Sequence, residues 1–599
     1  MLTYKRIFIS LSIVLLFALL IQSLRMNTLI EWSKAINTYN AVDIENAIRL
    51  QIPILEGAEN KYILYSNKDD LSSNTIVENI ERALNFMKKD YIILNSIENQ
   101  DLSIDKTLII ATKDLDILED ITIILEFLES GGNVIFARSL ENDNNFHYIK
   151  QKLGIYESGY LYNAQGINLD SGVLLGGYLD ISGDWLTTSS LSVRLNKESN
   201  ILARAQDGNP LFWEVAVGKG KAIVFNNTFL SEKTGIGIFT AALARAEEAY
   251  IYPILNAKVV NLNYFPLDLK GNDSYMKANY GRNIEGFIRD IWWPDMAQIA
   301  SAYDLKYTSF FISTLEVNMH ESFLDNNINS KNLSFIGREI LRYNGEIASS
   351  GYNPIPLVFN KNRDNGSSLY WEDIRVAERG FVFINEILKT RFQKYAVRSY
   401  SPPGGMLSTE GFELVEKTLD DLAVINGLYE GDKNTQFIQD FEVGQNNIIN
   451  FPTVSNGFSY SESEYWKLVN TATSLGAISH TLDVREAILI EDGFMDWKNL
   501  GKEFENFAED IFNDFRWISS RTISQGAEEI KRQDLIKPYI FKSKSEIQVY
   551  NDNFIGPMSF ILRYEKEAKA LKGCNLIKLE EGFYLVNVME PIFSIRLGG

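Results

Sequence analysis

Thr107-Leu108-Ile109-Ile110-Ala111-Thr112, a run of helically spaced apolar residues over 117–129, the pair Gly131-Gly132, and Asn133-Val134-Ile135-Phe136-Ala137 follow one another within about thirty residues. A short unbroken apolar run reads as a strand covered on both faces, and apolar residues three and four apart read as a helix packed on it. The same alternation extends upstream. Residues 61–67 (KYILYSN) and 91–96 (YIILNS) are further β runs, with helical spacing over 76–89 between them. Downstream, 212–217 and 222–226 flank Gly218-Lys219-Gly220, a hairpin signal. A helix is expected over 236–249, and Ile251-Tyr252-Pro253 then marks a domain border. Strands alternating with helices in this order predict an α/β fold built on a doubly wound parallel sheet.

The N-terminus carries a different pattern. Lys5 and Arg6 precede an apolar run from residue 7 to 21, interrupted only by Ser10 and Ser12. At ~1.5 Å per residue, such a run continued through Leu24 crosses most of a ~30 Å hydrocarbon core. Basic residues stay on the cytoplasmic side, so the bulk of the chain is expected outside, held in the cell membrane by one helix. Ser23-Leu24-Arg25-Met26 lacks the small-x-small pattern of a cleavage site, so the reading is an uncleaved anchor.

Composition narrows the function classes. Hydrophobic residues make up 45% and aromatic residues 12%, which excludes a disordered chain. A net charge of -20 argues against a nucleic-acid partner or an anionic lipid surface, since either needs a basic face. The single cysteine, Cys574, allows no intramolecular disulfide.

From about 259 to 534, short strands (307–312, 422–425) alternate with helices (373–389), a spacing that suits a (β/α) barrel with its site at the C-terminal strand ends. The last sixty or so residues change character, with β runs at 547–550, 558–563, 575–579, 583–588 and 593–597. The expected organisation is an anchor at 1–28, a Rossmann-like domain at 29–255, a barrel at 256–538 and a β-rich appendage at 539–599.

Several segments carry resemblances. The helix, the GGNVIF strand and the GKGKAIVFN hairpin resemble a class I glutamine-amidotransferase-like module. Glutaminase chemistry needs a cysteine at a strand-to-helix elbow, and this domain has none. No Gly-x-Gly-x-x-Gly follows its first strand, which disfavours a dinucleotide site. In the middle region Val260–Pro266 (VNLNYFP), Gly345–Pro354 (GEIASSGYNP), Arg398–Gly404 (RSYSPPG) and Ala477–His480 (AISH) resemble, in order and spacing, four motifs of a divergent polysaccharide deacetylase. The combined layout is similar to an uncharacterised bacterial family related to the deacetylase component of Pel-type exopolysaccharide systems. The resemblance implies a glycan cleft lined by Asn263, Tyr264, Ser350, Asn353, Arg398, Tyr400 and His480.

The departures shape the functional expectation. Asn263 and Tyr264 stand where such enzymes place an aspartate pair, and Ser350 and Pro354 stand where they place two histidines. A catalytic zinc-type centre needs about three anionic or imidazole ligands. The expectation is therefore no metal and no cofactor. His480, Asp268 and Arg398 are left as candidate catalytic groups, each equally readable as structural. Trp292-Trp293, Tyr400 and Tyr465-Trp466 could stack on sugars or fill the core. Three functions follow: a glycan binder that has kept a deacetylase-like frame without its metal chemistry; an active carbohydrate enzyme, either an atypical deacetylase or a glycosidase using two of Asp268, Asp290, Glu346 and Asp483; or a scaffold for glycan synthase and export proteins.

Overall fold

The computed structural model describes residues 12–20, 46–53 and 62–598, apart from 67–69, 98–101, 105, 119, 266–272, 316, 318–329, 360–369, 372, 393–394 and 489–494. Asp268, and the expected anchor outside 12–20, lie outside the described residues. Residues 12–20 are helical and expose their side chains to solvent, Val14 and Phe17 among them. Among the described residues no helix is long and apolar enough to cross a membrane.

The opening stretch forms strands at Thr107–Ile110 and Asn133–Phe136 with the helix Thr122–Ser130 between them. The helix stops at Gly131, whose φ of 121° suits glycine and whose N–H caps the Leu128 and Phe127 carbonyls. Tyr91–Leu94, Tyr62–Tyr65, Thr107–Ile110, Asn133–Phe136 and Gly220–Phe225 lie side by side and parallel, in that order. Alternate residues feed two cores. Leu64, Ile109 and Ile135 pack with the helices Leu71–Phe86 and Ile236–Ala246. Ile63, Leu108 and Val134 pack with Thr122–Ser130 on the other face. That is the doubly wound arrangement, and period-2 alternation of side chains produces it. Pro210–Val217, Asn200–Arg204, Ile167–Leu169 and Leu179–Ile181 extend the sheet antiparallel. A separate ribbon of Ile155–Gln165 and Thr187–Leu195 had no sequence expectation.

The middle region forms a second, curled sheet. Ala257–Asn263, Tyr307–Ile312, Glu346–Gly351, Ser399–Tyr400 and Val424–Ile425 run parallel in sequence order, and Ala477–Asp483 lies parallel on the far side of Ala257–Asn263. One extended segment touches both ends of this sheet. Its Ile449, Phe451 and Thr453 amides donate to Ala423, Ile425 and Gly427, whereas its Val454 and Gly457 amides donate to Ser479 and Thr481. The helix Ile523–Leu535, started by a Thr522/Gln525 capping box, presents its N-terminus to the lower end of the curl. There Ser524 N and Oγ donate to Glu346 at 3.0 and 2.6 Å, and Ser399 Oγ donates to the same carboxylate at 2.6 Å.

The C-terminal region is two four-stranded antiparallel sheets. One contains Met558–Arg563, Phe583–Val588 and Cys574–Glu580; the other contains Lys537–Lys542, Glu546–Asp552, Ile592–Leu597 and Ala568–Lys572. Val549, Phe560, Val586 and Phe593 share the core between them. The first sheet takes its edge strand from Tyr250–Ile254, so the residues read as a border are buried against Met558–Arg563. Pro253 is accommodated because an edge strand leaves one row of backbone groups unpaired.

Candidate functional site

Strand parity decides which side chains enter the curl. Along Ala477–Asp483, Thr481 and Asp483 point inward, while Ile478, His480 and Leu482 point at the surrounding helices. Ser401 and Asn426, which follow Ser399–Tyr400 and Val424–Ile425, also point inward, and so do Asn261 and Asn263. These residues hydrogen-bond around the inner wall. Ser401 Oγ and Thr453 Oγ1 donate to Asn426 Oδ1 at 3.3 and 3.2 Å, the Thr453 and Thr481 hydroxyls meet at 2.7 Å, and Asn261 Nδ2 donates to Thr481 Oγ1 at 3.2 Å.

Above this belt, at the C-terminal strand ends, lies a cavity of about 220 Å³ walled by Asn263, Tyr264, Asn456, Asp483, Arg485 and Glu486 together with the belt. Tyr264 reaches the wall because its φ of 61° turns the chain as the strand ends. Its hydroxyl accepts from Gly404 N at 3.2 Å, and the Arg485 guanidinium lies 4.1 Å from its ring centroid. Arg485 Nε and the Asp483 carboxylate pair at 2.9 Å. Burial, with the Asp483 charge beside it, pushes the Glu486 carboxyl above its ordinary range. Burial likewise raises the Tyr264 phenol, which stays protonated. Asn263 Oδ1 is buried without a hydrogen-bond partner among the described residues.

The structure separates the residues expected to share one cleft. Asn263 and Tyr264 line the cavity. Ser350 lies beneath it, donating to the Ser401 carbonyl at 2.7 Å. Asn353 is buried outside the cavity wall, where its Oδ1 accepts from Ile355 N. Arg398 precedes the strand Ser399–Tyr400, which leads to the cavity through Ser401, and Arg398 is not on the cavity wall. Tyr400 faces outward and packs edge-on against Phe381. His480 also faces outward. Its ring stacks on Phe507 at 4.4 Å, Nδ1 meets Ser455 Oγ at 2.8 Å and Nε2 meets the Gly457 carbonyl at 3.0 Å. Burial lowers its pKa to about 3, so the imidazole is neutral and fully partnered. Trp292, Trp293 and Trp466 are core residues. Among the other carboxylates, Glu346 lies at the lower end of the curl and Asp290 is a surface partner of Arg282 and Arg289.

Sequence reasoning missed Ser401, Asn426, Thr453, Thr481, Arg485 and Glu486. The signal for some of them was present: Ser479-x-Thr481-x-Asp483 alternates polar residues, while Ile478 and Leu482 give His480 the parity of an apolar face. Among the described residues, no cluster of three or more histidine, cysteine, aspartate or glutamate side chains could hold a metal ion.

Residues 13–185 and 185–585 match a bacterial family described as "uncharacterised protein conserved in bacteria (DUF2194)". The chain belongs to that family. Its membership says nothing of deacetylases, whose four motifs remain a resemblance. No curated protein matches the chain. Similar solved structures include an exo-β-1,4-mannosidase from Opitutaceae bacterium strain TAV5, 13% identical over 32% of this chain and 36% of that one, with a TM-score of 0.23. A β-galactosidase from Bacillus circulans sp. alkalophilus is 13% identical over 33% and 34%, TM-score 0.23. A ThuA-like protein from Bacteroides uniformis is 11% identical over 33% of this chain and 97% of its own, TM-score 0.26. The chain thus spans about a third of the glycosidases it matches, 36% and 34% of their lengths. Scores this low fix no shared activity.

Proposed function

We propose that this protein binds a cell-envelope glycan, seating one sugar unit in the cavity at the strand ends. The observation that carries the reading is Asn263 Oδ1, a buried acceptor on the cavity wall with no partner among the described residues. Such an atom costs about 1–3 kcal/mol unless something donates to it. A sugar hydroxyl is a fitting donor, and the neighbouring Asn456 amide and Tyr264 hydroxyl add the mixed donors and acceptors that polyols need. In this reading residues 29–255 are an amidotransferase-like domain, 256–538 a deacetylase-like barrel and 539–599 a β-rich appendage, one sheet of which the strand Tyr250–Ile254 of the first domain joins at its edge. The N-terminal run anchors the chain in the cell membrane with its bulk outside, near glycan synthase or export proteins. The exposed apolar side chains of the helix at 12–20 support that placement.

The test is calorimetry on the full chain in detergent with chitotetraose and cellotetraose. Asn263→Ala should weaken binding about three- to tenfold, the worth of one hydrogen bond, with thermal unfolding little changed. Failure of both oligomers to bind, or binding indifferent to Asn263→Ala, would overturn the reading.

A second reading has an observation of its own. Asp483 and Glu486 face one cavity in unlike surroundings, one paired with arginine and the other pushed upward, as acid and base roles require. Glycoside hydrolysis would then release reducing ends from the same oligomers, and Glu486→Gln would abolish that release.

A further inference from the structure

A second cavity, of about 570 Å³, opens between the helix Leu71–Phe86 and the turn at Lys233 on one side and the loops of the curled sheet on the other. It shares a wall with the strand-end cavity. Leu428 N donates to the Phe437 carbonyl and Gln439 Oε1 accepts from Gly427 N; Gly427 and Leu428 face the smaller cavity while Phe437 and Gln439 face the larger.

Its charge sets it apart. Arg82, Lys233 and Lys433 line it against one carboxylate, Asp440. The strand-end cavity has Arg485 against Asp483 and Glu486, and a third cavity of about 270 Å³ has Arg82 and Lys88 against Asp440, Glu442 and Asp534. On a chain of net charge -20, the largest of these three cavities is the one whose lining carries more cations than carboxylates. Asp440 is shared by Lys233 Nζ at 2.7 Å and Arg82 Nε at 3.1 Å, and Glu430, which is not on the wall and accepts from Thr234 N at 2.7 Å, adds its charge beside Lys233, which leaves Lys433 as the cation with no carboxylate of the wall beside it. Glu78 reaches Arg82 only at 3.7 Å and is not on the wall. Asp432, next to Lys433, spends its carboxylate on its own turn, accepting from Asn434 N at 2.9 Å and Thr435 Oγ1 at 3.1 Å. The helix Thr409–Thr418 starts on this wall at Ser408 and Thr409, and Glu410 in its first turn offsets the partial positive charge of its N-terminus. The remaining polar lining is neutral amide and hydroxyl, from Asn434, Gln436 and Gln445 among others. Held cations together with neutral hydrogen-bonding groups match a ligand bearing both a carboxylate and hydroxyls.

We infer that this outer cavity binds the acidic, uronate-type unit of a glycan. The inference does not depend on what occupies the strand-end cavity.

The test uses the full chain in detergent, with tetragalacturonate, cellotetraose and inorganic phosphate as calorimetric probes. Tetragalacturonate should bind, lose affinity on going to 0.5 M salt, and bind about fivefold more weakly to Lys433→Gln, an exposed residue whose loss leaves the fold intact. Arg82→Gln, checked for an unchanged melting profile, should weaken it further, whereas Asn263→Ala should leave it unaffected. Absence of tetragalacturonate binding, indifference to Lys433→Gln, or cellotetraose bound equally well at this site would overturn the inference. Phosphate bound as tightly as tetragalacturonate would reduce the site to a simple anion cradle and overturn the glycan assignment. Loss of neutral-oligomer binding alone would count only against the strand-end cavity.

Discussion

The hydroxyls of Thr453 and Thr481 meet at 2.7 Å inside the curled sheet. Thr453 belongs to the segment whose amides join Val424–Ile425, and Thr481 to the strand beside Ala257–Asn263, so this contact ties the two ends of the sheet together. It also leaves the cavity above it with a polar floor.

Replacing Thr481 by Val keeps the shape and removes the hydroxyl. Asn261 Nδ2 and Thr453 Oγ1 then each lose a partner in a buried setting. The expected loss is about 1–3 kcal/mol, read as a lowered urea midpoint. Thr453→Val together with Thr481→Val should cost less than the sum of the singles, because the two act through one contact.

His480 should behave as a structural residue. Its ring should show no NMR titration between pH 5 and 8, since burial holds its pKa near 3. The unfolded chain takes up this proton below about 6.5 and the folded chain does not. The contribution of His480 to stability is therefore complete above about pH 6.5 and is lost as pH falls toward 3. Wild type should lose stability from pH 7 to pH 4 more steeply than His480→Gln. His480→Ala should lower the melting temperature, through lost packing on Phe507, without removing any group from the cavity wall.

Glu486 has the opposite sign. Its folded pKa lies above its unfolded one, so its contribution is present below the unfolded carboxyl range and is lost as pH rises through the folded value. Glu486→Gln should remove that pH dependence and be at least as stable as wild type at pH 7. Paired denaturation curves at pH 4 and pH 7 check this.

Glu346 should be intolerant of truncation. It accepts from Ser524 N, Ser524 Oγ and Ser399 Oγ, and so joins the strand Glu346–Gly351 to the N-terminus of the helix Ile523–Leu535. Glu346→Ala should cost about 3 kcal/mol and shift hydrogen exchange first in residues 523–526. Equal protection in both proteins would show that this end of the curl is held by apolar packing alone.

The doubly wound sheet was legible because its strands are covered on both faces. Apolar runs such as Leu108-Ile109-Ile110 and Val134-Ile135-Phe136 leave few other options, and Gly131 announces the helix stop between them. The antiparallel C-terminal strands were legible where apolar residues cluster. Ala568–Lys572 was not, because four of its five residues are exposed on an edge. The pairing of Tyr250–Ile254 was not legible because its partner, Met558–Arg563, lies some three hundred residues away, and no local pattern encodes it.

The site divided along the same line. Sequence alone determined that Asn263 and Tyr264 would lie at the mouth of the curl, because a parallel curled sheet gathers its C-terminal strand ends on one side. The alternation along Ala477–Asp483 puts Thr481 and His480 on opposite faces, which corrects the reading of His480 as a cleft residue. Only the tertiary structure decided which face encloses a cavity. That depends on the helix Trp497–Asp514 bringing Phe507 onto His480, on the segment carrying Thr453 bridging the sheet's ends, and on Arg485 folding back over Tyr264. These are contacts between residues far apart in the chain, and their free energy exists only once the chain has collapsed and excluded water from both faces of the sheet.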